Sequence, residues 1–120
     1  MDTERIFGIK TPGDFEACAL ETFAGQYSEV PVYREFCDHL GKTPHRVRSL
    51  EEIPHLPLEF FKTRKVLRKG KEAEIVFSSS GTTGSTLSRH YVADLRWYRE
   101  SFHRAFAYFY GPPSNYCLLA

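Results

Sequence analysis

Long apolar runs are missing from this sequence. The longest are a few residues, against the ~20 that a membrane-spanning helix needs, so no such helix is predicted. Charge of one sign is missing too. Sixteen Lys and Arg stand against 15 Asp and Glu, a formal net charge of +1, which gives no electrostatic reason to expect nucleic acid or an anionic membrane as partner. Cysteine is scarce and odd in number: Cys18, Cys37 and Cys117 are widely spaced and make no disulfide framework. The first residues, Met1-Asp-Thr-Glu-Arg-Ile-Phe-Gly, carry no basic stretch followed by an apolar one, and no lipidation motif stands at either end. The expectation is a cytoplasmic protein with reduced thiols. Gly and Cys are too few for collagen-like or disulfide-scaffold classes.

What is abundant is aromatic: ten Phe, seven Tyr and one Trp in 120 residues, which excludes a disordered chain. The length suits one domain with a modest core. Thr11-Pro12-Gly13-Asp14 predicts a helix start, with Thr11 as N-cap and Pro12 at the first helical position. Phe15, Cys18, Ala19 and Phe23 follow at helical spacing, and Gly25 ends or weakens that helix. Val30-Pro31 is a break. A second helix from Pro31 has Val32, Tyr33, Phe36, Cys37 and Leu40 as its apolar stripe and Gly41 as C-cap. Residues 42–58, with Pro44, Pro54 and Pro57, read as an irregular connector, in which Ser49 to Glu52 fits a capping box and a single helical turn.

Phe60 to Leu67 is short, aromatic and β-branched and reads as a strand. Glu74 to Ser78 is a better one, and Arg89 to Val92 is its returning partner in a hairpin. Asp94 caps a long helix with Leu95, Tyr98, Phe102, Phe106 and Phe109 as its buried stripe and Arg96, Arg99, Glu100, His103 and Arg104 as its wet face. Gly111-Pro112-Pro113 stops it, and Tyr116 to Ala120 reads as the start of another apolar strand. The predicted class is α/β, locally α+β, in one partial domain. Residues 1–41 are helical, 42–73 are connector and basic strand, 74–93 are the hairpin, and 94–120 are an amphipathic helix and the start of a strand. A chain that stops in an apolar strand is expected to be part of a longer protein. Some of the aromatic surplus is then uncovered interface that favours self-association.

The chemistry-bearing segment is Ser78 to Thr86, with seven hydroxyl residues and two glycines in nine positions between two predicted strands. Gly81 and Gly84 permit tight turns that bring backbone N–H groups close to an anion, and hydroxyls add donors without bulk. A G-x-x-x-x-G-K-[ST] phosphate loop does not fit, because no Lys follows Gly84 and the chain returns to a strand. A plain Ser/Thr-rich turn remains the competing reading. Lys62, Arg64, Lys65, Arg68, Lys69 and Lys71 put six basic residues in ten positions just upstream. They read more simply as a solvated edge than as a rim that steers anions. Cys37, His39 and His45 lack a second ligand pair at zinc-finger spacing, and His90 reads as a structural strand histidine.

Ser79-Ser80-Gly81-Thr82-Thr83-Gly84 after a β-branched strand resembles the phosphate-binding loop of the adenylate-forming enzymes, [ST]-S-G-[ST]-T-G-x-P-K-G. It departs at Thr86 and Leu87, where the family has Pro and Lys; Arg89 is the nearest replacement for that charge. Phe15 to Leu20, Phe23 with Gln26, Pro31 to Phe36, Leu40-Gly41 and Ile53-Pro-His-Leu-Pro-Leu-Glu-Phe-Phe-Lys-Thr63 resemble the start of the acyl-protein synthetases (the LuxE type) within that superfamily. The resemblance runs from about Phe15 to Ala120. It implies the N-terminal part of an adenylate-forming fold and an ATP- and Mg²⁺-dependent ligase. A fatty acid attacks the α-phosphate of ATP, pyrophosphate leaves, and the acyl group passes to an enzyme cysteine and then to an acyl-CoA reductase partner. Ser79, Ser80, Gly81, Thr82, Thr83 and Gly84 would hold the β- and γ-phosphates. The adenosine pocket, the acidic metal ligand and the acceptor cysteine lie further along a full-length member. The 120 residues are therefore expected to be inactive alone, and Cys18, Cys37 and Cys117 to be small core residues. An acid–CoA ligase, or an interaction module that keeps the loop only as a turn, are the alternatives.

Overall fold

The computed structural model describes residues 3–79, 86–117 and 119. Five α-helices and two strands are described: α1 (Thr3–Phe7), α2 (Pro12–Glu29), α3 (Pro31–His39), α4 (Glu59–Thr63), β1 (Ile75–Ser78), β2 (Arg89–Val92) and α5 (Leu95–Tyr110), with 3₁₀ turns at Leu50–Glu52 and Pro113–Asn115. The strands pair antiparallel, so the architecture is α+β. Among the described residues there is no parallel sheet of the kind an α/β fold carries.

Local chemistry explains the element ends. Thr11 caps α2 by accepting the Asp14 N–H at 3.1 Å, and the Asp14 carboxylate accepts the Thr11 N–H at 3.0 Å, a reciprocal capping box. Those bonds hold the Asp14 carboxyl below its ordinary range. Contrary to expectation, α2 runs through Gly25 to Glu29 and is stopped instead at Val30, before Pro31. At the end of α3, Gly41 takes a left-handed φ of 64° while its N–H reaches Asp38 O and the Lys42 N–H reaches Cys37 O. This is a Schellman stop, which glycine adopts without strain. Ser49 makes no side-chain cap, although the predicted turn is there as the Leu50–Glu52 3₁₀ turn.

The core lies in the helical half. Phe23, Val30, Tyr33, Cys37 and Val47 are buried together, with Leu20, Tyr27, Phe36, Ile53, Leu56 and Val66 packed around them. The Phe23 and Tyr33 rings meet edge to face at 6.1 Å, and the Tyr33 hydroxyl donates to Pro54 O at 2.7 Å, pinning the connector to α3. Phe15 and Leu40, placed on the stripes by spacing, are exposed at the ends of those stripes.

Three further expectations fail. Phe60 to Thr63 lies in helix α4, not a strand: Lys62 pairs with Glu59 at 3.2 Å, the Thr63 hydroxyl donates to Glu59 O, and the residues from Arg64 to Leu67 belong to no strand. The stripe of α5 is not buried, and Tyr98, Phe102 and Phe109 are 54%, 47% and 73% exposed. No strand forms at Tyr116 and Cys117, so the Cys117 thiol is exposed rather than in a core. The radius of gyration is 17.1 Å, against about 14 Å for a compact domain of this length, because the hairpin and α5 extend away from the core.

Candidate functional site

The hairpin holds the two ends of the Ser/Thr/Gly run together. Its register pairs Ile75 with Val92, Val76 with Tyr91, Phe77 with His90 and Ser78 with Arg89, and the Ser79 N–H extends the ladder to Ser88 O at 3.2 Å. Ser79 is therefore fixed at the root of the run. Ser80, Gly81, Thr82, Thr83 and Gly84 lie outside the described residues. Arg89 stands at the same root, opposite Ser78.

A chain of polar side chains runs along this root. The Ser79 hydroxyl oxygen accepts the Ser88 N–H at 3.2 Å and lies 2.9 Å from the Ser88 hydroxyl, which lies 3.3 Å from His90 Nε2. Ser88 is 4% exposed, so its hydroxyl depends on these protein partners and is closed to an incoming electrophile. The His90 ring stacks on Phe61 of α4, centroids 4.8 Å apart and planes 26° apart. Helix α4 and strand β2, separate in sequence, thus meet through Phe61 and His90.

Phe61 also lines an apolar cleft of about 820 Å³ between α1, α2, α3 and the connector. Ile6, Phe15, Phe23, Val30, Ile53, Leu56 and Val66 form much of its wall, and Gln26 and His55 are polar groups on it. The volume is that of a small-molecule site. Cys18 also borders the cleft, and its companion Cys37 is fully buried, where burial pushes the thiol up and keeps it protonated.

The basic run is mostly committed to the helices. Lys62 pairs with Glu59, Arg64 with Glu35 at 2.8 Å and Arg68 with Glu29 at 3.0 Å, while Lys65 lies over the Tyr91 ring at 5.5 Å. The Arg64 guanidinium holds the Glu35 carboxyl below its ordinary range. Arg64 and Arg68 tie the segment after α4 to α3 and α2. Among the described residues no group of three His, Cys, Asp or Glu side chains is placed to hold a metal, and His39 Nδ1 lies 2.7 Å from Glu35 O.

No family model, no curated protein and no solved structure matches this chain. The sequence singles out Ser79, does not single out Ser88 or Phe61 as site residues, and favours a structural reading of His90. The signal it had was the aromatic pair Phe60-Phe61, obscured by reading that stretch as a strand.

Proposed function

We propose that the chain is the phosphate-gripping part of an adenylate-forming acyl-protein synthetase, in which Ser79 to Gly84 hold the β- and γ-phosphates of ATP while a fatty acid is activated. The observation that carries this reading is the hydroxyl chain at the hairpin root: a fixed Ser79 oxygen, backed by a buried serine, at the mouth of a glycine- and hydroxyl-rich run. Donors fixed in advance serve the reaction because charge builds on the departing pyrophosphate as the α-phosphorus–oxygen bond breaks. The carboxylate oxygen forms the new bond, giving acyl-adenylate and free pyrophosphate. ATP supplies the phosphates. Mg²⁺ would be shared by the phosphate oxygens, and the resemblance puts its acidic protein ligand further along a full-length member. The apolar cleft on the other side of Phe61 supports an apolar acid as substrate. The resemblance puts the adenosine pocket and acceptor cysteine outside these 120 residues, so binding rather than turnover is the property expected of them.

Calorimetric titration of pyrophosphate and of ATP with Mg²⁺ tests this. Both are expected to bind competitively, and Ser79→Ala is expected to weaken each about tenfold, the worth of a hydrogen bond to a charged oxygen. ATP–pyrophosphate exchange with fatty acids of graded length then tests a longer parent chain. A chain that binds neither ligand is an interaction module with a hydroxyl-rich turn.

A further inference from the structure

We propose that His90 is a positioning residue that sets the ligand preference of the hairpin root, acting through Ser88 to make the Ser79 hydroxyl a proton donor toward a multiply charged phosphate. The inference rests on the phosphate-binding reading above and adds which residue tunes it.

A serine hydroxyl has one proton and two lone pairs. The Ser79 oxygen already receives the Ser88 backbone N–H at 3.2 Å. Two arrangements complete the chain. In one, Ser79 donates to Ser88 and Ser88 donates to His90 Nε2, so Ser79 has only lone pairs to offer a ligand. In the other, His90 Nε2–H donates to Ser88, Ser88 donates to Ser79 across 2.9 Å, and the Ser79 proton is left for the ligand. Lone pairs repel an anion and a proton attracts it, so a bound phosphate selects the second arrangement. That arrangement requires the Nε2–H tautomer of His90.

The surroundings suit such a relay. Ser88, at 4% exposure, is shielded from water that would otherwise break into the chain. Ser88 immediately precedes β2, where its carbonyl extends the ladder, and His90, two residues on, shares its face. Phe61 stacks on the imidazole and fixes its plane, so Nε2 stays in line with the Ser88 oxygen. A helix outside the hairpin thereby holds the relay, which gives Phe61 a role beyond packing.

Three variants separate the donor from the packing. His90→Phe keeps a ring for Phe61 and removes the donor. His90→Gln keeps an N–H donor and removes the ring. Ser88→Ala removes the link alone. The readout is calorimetric affinity for pyrophosphate in the 120-residue chain, with the melting temperature followed in parallel. His90→Phe and Ser88→Ala are each expected to weaken binding about fivefold, the worth of one ordinary hydrogen bond, and their combination no further. His90→Gln is expected to restore most of the affinity. Nitrogen-15 spectra of labelled histidine in the pyrophosphate complex are expected to show the Nε2–H tautomer at His90. Wild-type binding with unchanged affinity in His90→Phe and Ser88→Ala overturns the relay and leaves the phosphate site standing. Equal weakening by His90→Gln and His90→Phe, or an Nδ1–H tautomer in the complex, also overturns the relay. If His90→Phe does not fold, Ser88→Ala decides. A wild-type chain that binds no pyrophosphate overturns the phosphate reading, and the relay with it.

Discussion

The two ends of this chain have similar ingredients and different fates. Between residues 3 and 72, apolar side chains from α2, α3 and the connector converge on Phe23, Tyr33 and Cys37 and exclude water. Between residues 74 and 117, aromatics are denser still, yet Ser88 is the one buried residue among those described. There Phe77 meets Tyr98 at 5.4 Å and Tyr98 meets Phe102 edge to face at 5.6 Å, and Phe106 meets Tyr116 at 5.4 Å, on an open face. The difference teaches that an apolar stripe at helical spacing fixes which face can be buried. Burial itself needs a second layer. α2 has α3 and the connector opposite it, whereas α5 has a two-stranded hairpin, which is a marginal support by itself. Arg104, held by Glu100 on its own helix, ties α5 to the helical half by pairing with Glu4 and lying 4.6 Å over the Phe7 ring.

The largest expected effect tests that contrast directly. Phe23→Ala empties a site that is 3% exposed in the middle of the core, and is expected to cost about 3–5 kcal/mol in a urea melt followed by circular dichroism. Phe102→Ala, at a site 47% exposed, is expected to cost no more than about 1 kcal/mol. Equal costs would show that α5 is backed by a hidden layer and would erase the distinction between the halves.

The same contrast explains what the sequence could say. The start of α2 was legible because Thr11, Pro12 and Asp14 act on each other within three residues. Helix α4 was not. Its helicity rests on the Glu59–Lys62 pair and on Phe60 and Phe61 meeting Phe36, at 5.5 Å, and His90, residues distant in sequence. Ser79 was legible because the Ser/Thr/Gly run is a local pattern. Its backing by Ser88, nine residues on, depends on hairpin register, and the Phe61–His90 contact on tertiary packing that no spacing rule encodes.

The second effect is a response to alkali confined to the helical half. Burial pushes the Tyr33 hydroxyl up, and the Cys37 thiol with it. Both groups have folded values above their unfolded ones. The stability they contribute is therefore complete below the unfolded values, about 8.5 for Cys and 10 for Tyr, and is lost as pH rises through them toward the folded values. The urea midpoint is expected to fall steadily above pH 9. Tyr33→Phe is expected to cost about 1 kcal/mol at pH 7, through loss of the bond to Pro54 O, and to flatten the alkaline fall. An alkaline fall unchanged in Tyr33→Phe would place its origin outside this core.

The smallest effect compares two helix starts with similar caps. Asp14 supports the Thr11 cap of α2, and Asp94 caps α5 by accepting the Arg96 N–H at 2.9 Å. Both carboxyls are held below their ordinary range, Asp94 down to about 2 by its hydrogen bonds to Arg96. A lowered folded value means that the contribution is present above the unfolded value of about 3.9 and is lost as pH falls through the folded one. Acid therefore weakens the α2 capping box and the Asp94 cap of α5, and the outcome depends on what stands behind each. α2 is held by Cys18 and Phe23 in the core, so loss of its cap lowers global stability without unravelling the helix locally. Thr11→Ala is expected to show this as a uniform loss of about 1 kcal/mol. α5 buries no residue, so its first turn opens alone, and Asp94→Ala is expected to speed amide hydrogen exchange from Trp97 to Arg99 while leaving the urea midpoint of the helical half in place. Acidification from pH 5 toward pH 2 is expected to reproduce that exchange pattern in the wild-type chain before the core melts. Protection in α5 that survives both treatments would mean that its aromatic face is packed against something firm, and the two halves of the chain would then be one cooperative unit.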